Sequence, residues 1–104
     1  MKWFKDIHDR RIRLTYERQN LIEVDHPEMI GQFDKLQDVL SNPDVVVESI
    51  TDSNVELFYC YYSVTPVTEK YLCVAVKVLV DDLFIITAYF TDTVKRGEVL
   101  WERK

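Results

Sequence analysis

The sequence predicts a single α+β domain: short N-terminal strands, two helices, and then an antiparallel meander of four strands. One domain over residues 1–104 fits a chain of 104 residues, which can bury only a modest core. Apolar residues recur at helical spacing between Pro27 and Pro43. After Pro43 the composition changes to β-branched and aromatic runs joined by short connections, which is typical of antiparallel strands. This order offers no βαβ crevice, and no cofactor is expected.

The first elements are short. "WFKDI" and "RIRLT" are predicted to be strands that pair through a turn near Asp9. Thr15 is predicted to cap the helix that begins "YERQNLI", because a threonine side chain can accept a hydrogen bond from an amide of the first helical turn.

The second helix is predicted to begin near Pro27, which suits a first turn, and to end by Pro43 in "SNPD". Its apolar face recurs at spacings of four, three and four residues. That face consists of Met29, Phe33, Leu36 and Leu40. Both helices are expected to cover one face of the sheet.

His26 precedes Pro27 at this predicted helix start. The positive end of a helix dipole favours neutral imidazole, which is the form that acts as a general base. His26 is therefore a candidate for proton transfer. An ordinary capping or solvent-exposed histidine is the other interpretation, and His8, in a predicted turn, indicates no function.

The last two of the four predicted strands, "KYLCVAVKVLV" and "LFIITAYF", carry their apolar residues at even positions. In an antiparallel pair, residues directly opposite each other point to the same face of the sheet. The apolar residues of both strands therefore share one face only if the loop between the strands has an odd number of residues, such as 81–83. That register predicts Lys77 opposite Thr87 and Ala75 opposite Tyr89.

Lys77, Thr87 and Tyr89 would then share the face opposite the core. A lysine, a threonine and a tyrosine on rigid strands can hold a phosphate, stabilise its transition-state charge and move a proton. The alternative is the wetter side of an ordinary antiparallel sheet, where threonine and tyrosine are good strand formers.

The charge balance limits nucleic-acid binding to a local patch. The formal net charge is -5 and the sequence pI is about 4.9, so the whole molecule repels a polyanion. Two groups of basic residues could form a patch if the fold joins them, and a mixed-charge surface is the alternative. The groups are Arg10, Arg11, Arg13 and Arg18, and then Lys95, Arg96, Arg103 and Lys104.

No apolar run is long enough for a signal peptide or a membrane-spanning helix, so a cytoplasmic protein without a membrane partner is expected. Cys60 and Cys73 lie in apolar strand patterns without CxxC spacing, which indicates reduced core residues rather than a metal site. No pair of carboxylates has a spacing that requires metal chemistry.

The chain resembles a family of small phage and bacterial proteins assigned to the nuclease fold (BECR) of barnase, EndoU, colicin ribonucleases and RelE-type toxins. The resemblance runs in order along almost the whole chain. Its segments are "IRLTYER" (12–18), "HPEM" (26–29), "LSNPDVV" (40–46), "YLCVAVKV" (71–78) and "FIITAYFTDTVKRGEVLW" (84–101). It implies two helices before an antiparallel sheet, and metal-independent RNA cleavage as the ancestral chemistry.

The resemblance also implies roles for particular residues. His26 of "HPEM" matches the family's helix histidine, and Arg18 matches the arginine of its "LTxER" segment. Thr87 and Tyr89 match its Thr-x-Tyr on the last main strand.

Lys77 matches a basic residue on the preceding strand, and Lys95 matches the lysine that follows the last main strand. Arg18, Lys95 and Arg96 are the candidate RNA-binding residues. One departure matters, because members that look active often have another histidine where this chain has Leu21. That change leaves either a single-histidine mechanism or a fold that has lost its chemistry.

The leading hypothesis is a toxin-like ribonuclease with RNA as substrate and an antitoxin or immunity protein as partner. His26 or Tyr89 would deprotonate a ribose 2′-hydroxyl, Lys77 would stabilise the phosphorane, and Thr87 would hold a phosphate oxygen, yielding a 2′,3′-cyclic phosphate. The second hypothesis is a catalytically inactive module that binds another protein or its own copy as a homodimer. It is motivated by the acidic pI, by Leu21 and by the tyrosine-rich "FYCYY" strand.

Overall fold

The computed structural model describes residues 1–104 and forms an α+β fold. The helices are α1 and α2, with two 3-10 turns at Pro27–Met29 and Phe33–Lys35 between them. Their bounds are Tyr16–Asp25 for α1 and Leu36–Ser41 for α2. The strands are β1 (Lys2–Lys5), β2 (Arg11–Leu14), β3 (Val45–Glu48), β4 (Val55–Tyr61), β5 (Tyr71–Val78), β6 (Leu83–Thr91) and β7 (Val99–Glu102). No helix has the length and apolar character needed to cross a membrane.

All seven strands form one sheet in the order β1-β2-β6-β5-β4-β3-β7. Every pair of neighbours is antiparallel except β2 and β6, which run parallel and pair through Arg13 and Phe84. The predicted four-stranded meander is therefore an incomplete description of this sheet. The N-terminal hairpin extends one side, and β7, which the sequence analysis did not identify as a strand, extends the other.

The N-terminal hairpin is confirmed. Asp9 adopts a left-handed conformation with φ of 61°, as a tight turn requires. Asp6 is 3% exposed and organises the turn, because its Oδ1 accepts hydrogen bonds from the backbone amides of His8 and Arg10, each at 2.9 Å. The Arg10 guanidinium lies 2.7 Å from the other Asp6 oxygen and 2.7 Å from Glu56, so this buried carboxylate is paired.

Helix α1 begins as predicted, since the Thr15 hydroxyl accepts a hydrogen bond from the Arg18 amide at 3.1 Å. The prediction of one continuous second helix is wrong. Gly31, with φ of 80°, interrupts it and separates the first 3-10 turn from the second, which leads directly into α2. The predicted apolar face is nevertheless buried, because short turns can direct the same side chains into the core. Those side chains are Met29, Phe33, Leu36 and Leu40.

One face of the sheet, here called the helix-covered face, packs against α1, α2 and the 3-10 turns. Its core contains 17 buried residues. Alternate residues of β5 belong to this core, as does Ile22 of α1, the helix that packs beside β6. The residues from β5 are Leu72, Val74 and Val76.

The opposite face, here called the strap face, has a core of only six buried residues. They are Val47, Val55, Leu57, Tyr59, Cys73 and Ala75. No helix packs on this side. Residues 92–98, here called the crossing segment, connect β6 to β7, and Val94 of this segment packs on the strap-face core.

The crossing segment takes a direct route because it has few residues to spare. Four strand spacings separate β6 from β7, roughly 19 Å in all, and seven residues reach at most about 25 Å. The Lys95 amide donates a hydrogen bond to Tyr59 Oη at 3.2 Å near the middle of the sheet. At its end, the Glu48 amide donates to the Glu98 carbonyl at 2.8 Å.

Gly97 allows this segment to approach β3 closely. A Cβ at Gly97 would lie 2.2 Å from the Glu48 carbonyl oxygen and 2.7 Å from Val47 Cγ1. Any other residue would therefore force the segment away from the sheet.

Candidate functional site

The centre of the strap face is a row of tyrosines around a thiol. Cys73 of β5 lies between Tyr59 of β4 and Tyr89 of β6 in the sheet register. Ala75 lies two residues along β5, between Leu57 and Thr87. Both of these small side chains of β5 are buried in the strap-face core.

Cys73 and Cys60 are both free and buried, in agreement with the expectation of core cysteines. Burial raises the pKa of Cys73 to about 11, so its thiol is neutral at physiological pH. Burial, followed by the charge and hydrogen bonding of Cys73, also raises the pKa of Tyr89 well above its ordinary value. A phenol of this kind is a poor base at neutral pH, so Tyr89 serves this site through its ring.

His26 reaches that ring from a different part of the chain. The imidazole stacks on Tyr89 with ring centroids 5.3 Å apart and an interplanar angle of 28°. His26 is 34% exposed, so it is both positioned and accessible to a ligand. Glu28 Oε2 lies 3.8 Å from Nδ1, which is too far for a hydrogen bond and leaves both ring nitrogens available.

The helix-start environment predicted for His26 is wrong in one respect. His26 follows the last turn of α1, and its amide donates to the Ile22 carbonyl at 2.7 Å, so it is the C-cap of that helix. The next element is only the three-residue 3-10 turn Pro27–Met29. The dipole of a long following helix is therefore absent, and the stacking on Tyr89 is what orients the imidazole.

Lys95 lies near the same tyrosine. Its Nζ is 5.9 Å from the centroid of the Tyr89 ring, within cation–π range, while its backbone is held by Tyr59. An imidazole from the end of α1 and an ammonium from the crossing segment thus both contact one ring of β6. Thr87 lies two residues before Tyr89 on the same face of β6.

Lys77 is placed differently from the prediction. A register shift between Ala75 and Val76 sets Lys77 opposite Phe84, while Ala75 opposes Thr87 and Cys73 opposes Tyr89. Far from the turn, the apolar residues of the two strands lie on the same face of the sheet, as predicted. The predicted residue pairs and the predicted loop of residues 81–83 are wrong. The register shift leaves one residue of β6 without a partner on β5, as in a β-bulge. As a result, Ile85 points into the core of the helix-covered face, and Phe84 and Ile86 do not.

The ammonium of Lys77 forms an ion pair with Asp52 in the turn between β3 and β4. This hydrogen bond, followed by one from the Asn54 amide, lowers the pKa of Asp52 below its ordinary value. Lys77 therefore has a structural partner and is directed towards the turn. The turn "TDSN" was apparent in the sequence, but nothing in its spacing indicated that its aspartate would meet Lys77.

The two predicted groups of basic residues do not form one patch. Arg10 pairs with Asp6 and Glu56, Arg13 with Asp82, and Arg103 with Asp44. Arg18 lines a small hollow of about 170 Å³. The residues lining this hollow are Arg13, Thr15, Arg18, Phe84 and Ile85.

Lys95 and Arg96 line a second, larger hollow of about 300 Å³ on the strap face. Neither forms an ion pair. Sequence reasoning selected both residues but missed Ser49 and Thr51, which line the same hollow from the end of β3 and the turn that follows. These are ordinary turn residues, and no local pattern distinguishes them.

Comparison of the chain with family models, curated proteins and solved structures finds no match. We therefore infer a function from the residues of this chain and from the geometry of the strap face.

Proposed function

We propose that this protein binds RNA on the strap face and cleaves it without a metal ion, with His26 transferring the proton. The observation that carries the proposal is the stack of His26 on Tyr89 with Lys95 over the same ring. It places an imidazole and an ammonium, from distant parts of the chain, next to one aromatic ring. Both side chains are common in ribonuclease-type phosphoryl transfer because one moves a proton and the other neutralises a phosphate.

In the proposed reaction the His26 imidazole removes the proton from a ribose 2′-hydroxyl, and the 2′-oxygen attacks the adjacent phosphorus. Lys95 stabilises the negative charge that builds on the phosphorane, and the Thr87 hydroxyl donates a hydrogen bond to a phosphate oxygen. The bond from phosphorus to the 5′-oxygen breaks. The leaving oxygen takes the proton back from the imidazolium, which produces a 2′,3′-cyclic phosphate and a 5′-hydroxyl. One histidine acts in both steps, which suits a chain with Leu21 at the family's other histidine position.

For Tyr89 and Lys77, the proposed roles differ from those expected from the sequence. Tyr89 supplies the ring that orients His26, because its raised pKa opposes its use as a base. Lys77 is held by Asp52, so Lys95 takes the position of the phosphate-stabilising cation.

The test is incubation of purified protein with fluorescent single-stranded RNA in EDTA, with analysis of the product ends. His26→Ala should lower the cleavage rate by about 10²-fold or more, the usual contribution of a general acid or base. His8→Ala is the matched control, because His8 is the only other histidine and is exposed in the N-terminal turn. It should cleave at the wild-type rate. A folded wild-type protein without activity, or equal rates for both variants, would reject the proposal.

The second candidate is a protein-interaction module that retains the fold without catalysis. Leu21 is 52% exposed and Val24 is 76% exposed, so α1 presents apolar side chains to solvent at the position where active members often have a histidine. An RNA assay without cleavage, combined with concentration-dependent self-association in sedimentation, would favour this candidate. Association that Leu21→Ser abolishes would locate the contact on α1.

A further inference from the structure

The larger hollow lies where the crossing segment passes the turn between β3 and β4. Its volume of about 300 Å³ is at the lower end of the range for small-molecule sites and is comparable with one nucleotide. It combines cationic, hydroxyl and apolar groups. The lining residues are Ser49, Ile50, Thr51, Leu57, Lys95 and Arg96.

No carboxylate of the protein neutralises the two cations of this hollow. The chain carries a formal charge of -5, and carboxylates neutralise Arg10, Arg13, Lys77 and Arg103. Lys95 and Arg96 are adjacent and lack such partners, so their charges add at one place. Two neighbouring unpaired cations in an acidic protein favour an anionic ligand.

The hydroxyl groups supply a hydrogen-bond donor at the same place. Ser49 Oγ and Thr51 Oγ1 are 3.0 Å apart and share one hydrogen bond. The Thr51 amide donates to Ser49 Oγ at 3.3 Å. Since the two hydroxyls have two hydrogens and their mutual bond uses one, the other remains free to donate to a ligand oxygen.

The apolar groups face the remaining space. Leu57 of β4 is 6% exposed and forms part of the floor, whereas Ile50 is 79% exposed at the rim. An isoleucine exposed beside a cavity offers apolar surface against which one face of a base can pack.

We propose that this hollow is a nucleotide subsite. Arg96 and the free hydroxyl of the Ser49–Thr51 pair bind the phosphate, and Ile50 and Leu57 contact the base. Lys95 lies between this phosphate and the scissile one, because it lines the hollow and also contacts Tyr89. The proposal rests on the proposed function for its substrate, because Lys95 also contacts Tyr89 and so places the subsite beside the scissile phosphate. The subsite would hold the nucleotide next to the one that is cleaved.

The test is titration with adenosine 3′-monophosphate, followed by calorimetry and by amide NMR shifts. This ligand has no bond for the enzyme to cleave, so its binding does not depend on the proposed chemistry. Shifts are expected at Ser49, Ile50, Lys95 and Arg96. Arg96→Ala should weaken binding by about tenfold, as for loss of one charge-assisted hydrogen bond. Ser49→Ala combined with Thr51→Val should weaken it without changing charge.

Lys70→Ala is the matched control, because the Lys70 ammonium donates to the Ser63 carbonyl away from the hollow and should leave the affinity unchanged. Circular dichroism of each variant verifies folding. No binding by the wild-type protein, or equal loss in Lys70→Ala and Arg96→Ala, would overturn the subsite.

Further ligands separate the possible sources of the phosphate. Inorganic phosphate should bind more weakly than the nucleotide, and equal affinity would reduce the hollow to an anion site and reject the role of Ile50. A ribodinucleotide with a 2′-O-methyl group, which cannot be cleaved, should bind, because a chain-linked phosphate must be accepted, and its failure would reject the link to RNA. Nucleotide binding without RNA cleavage would refute the proposed catalysis alone, whereas cleavage without nucleotide binding would refute the subsite alone.

Discussion

The two faces of this sheet share the same strands but are closed by different means. The helix-covered face shares a core of 17 buried residues with α1, α2 and the 3-10 turns. The strap face buries six and has no helix over it, only the crossing segment and the imidazole of His26 at its margin.

The difference separates the well-packed core from the candidate site. A side chain on the helix-covered face is surrounded by apolar neighbours and can contribute only to packing. On the strap face, the sparse cover leaves the larger hollow open and keeps His26, Lys95 and Arg96 accessible to solvent. The candidate chemistry therefore lies where the sheet is least covered, supported from behind by the well-packed face.

The largest expected effect comes from a matched pair of leucines. Leu72→Ala should cost about 4–5 kcal/mol of unfolding free energy, since Leu72 is fully buried among residues that cannot collapse into the cavity. Leu57→Ala should cost about 2 kcal/mol, because Leu57 borders a hollow that already admits solvent. Urea denaturation of both variants measures the difference. Equal losses would mean that the two faces are packed alike.

Gly97→Ala tests whether the crossing segment closes the strap face. The clash with the Glu48 carbonyl should cost about 1–3 kcal/mol. Hydrogen exchange should show lost protection at the amides of Lys95 and Glu48, with the N-terminal hairpin unchanged. Gly31→Asn is the control, because nothing lies within 4 Å of a Cβ there and asparagine tolerates its positive φ. Unchanged protection in Gly97→Ala would show that the segment is held by other contacts.

The smallest expected effect concerns the ion pair between Lys77 and Asp52. The folded pKa of Asp52 is below the ordinary 3.8, so the pair stabilises the fold above that pH and the contribution is lost as pH falls below it. Asp52→Asn should lower Tm slightly at pH 7 and not at all at pH 2. Asp81→Asn, which removes an exposed carboxylate without an ion pair, is the control. A Tm difference that persists at pH 2 would assign the effect to something other than the pair.

Local features of the fold could be predicted because each depends on neighbouring residues. Thr15 caps α1, Asp9 turns the first hairpin, and the apolar residues from Met29 to Leu40 enter the core. The break in the second helix could not be predicted, because a helix can accommodate a glycine. The conformation of Gly31 depends on how the 3-10 turns pack on the helix-covered face of the sheet.

The candidate site was predictable in composition but not in arrangement. His26, Thr87, Tyr89, Lys95 and Arg96 were all selected from the sequence and lie on or beside the strap face. The roles of Lys77 and Tyr89 changed, because a bulge of one residue shifts the register and burial beside Cys73 changes the phenol. Neither effect has a signal within a strand's own sequence.

By itself, the sequence determined the succession of strands and helices, the alternation that assigns residues to one face of a strand, and the types of side chain available for chemistry. These follow from interactions within a few residues along the chain. Only the tertiary structure decided that His26 and Lys95 contact the same tyrosine, that Asp52 holds Lys77, and that Lys95 and Arg96 remain unpaired beside Ser49 and Thr51. Each of these depends on the path of seven residues across the sheet or on pairing between distant strands, and such long-range contacts form only when the whole fold closes.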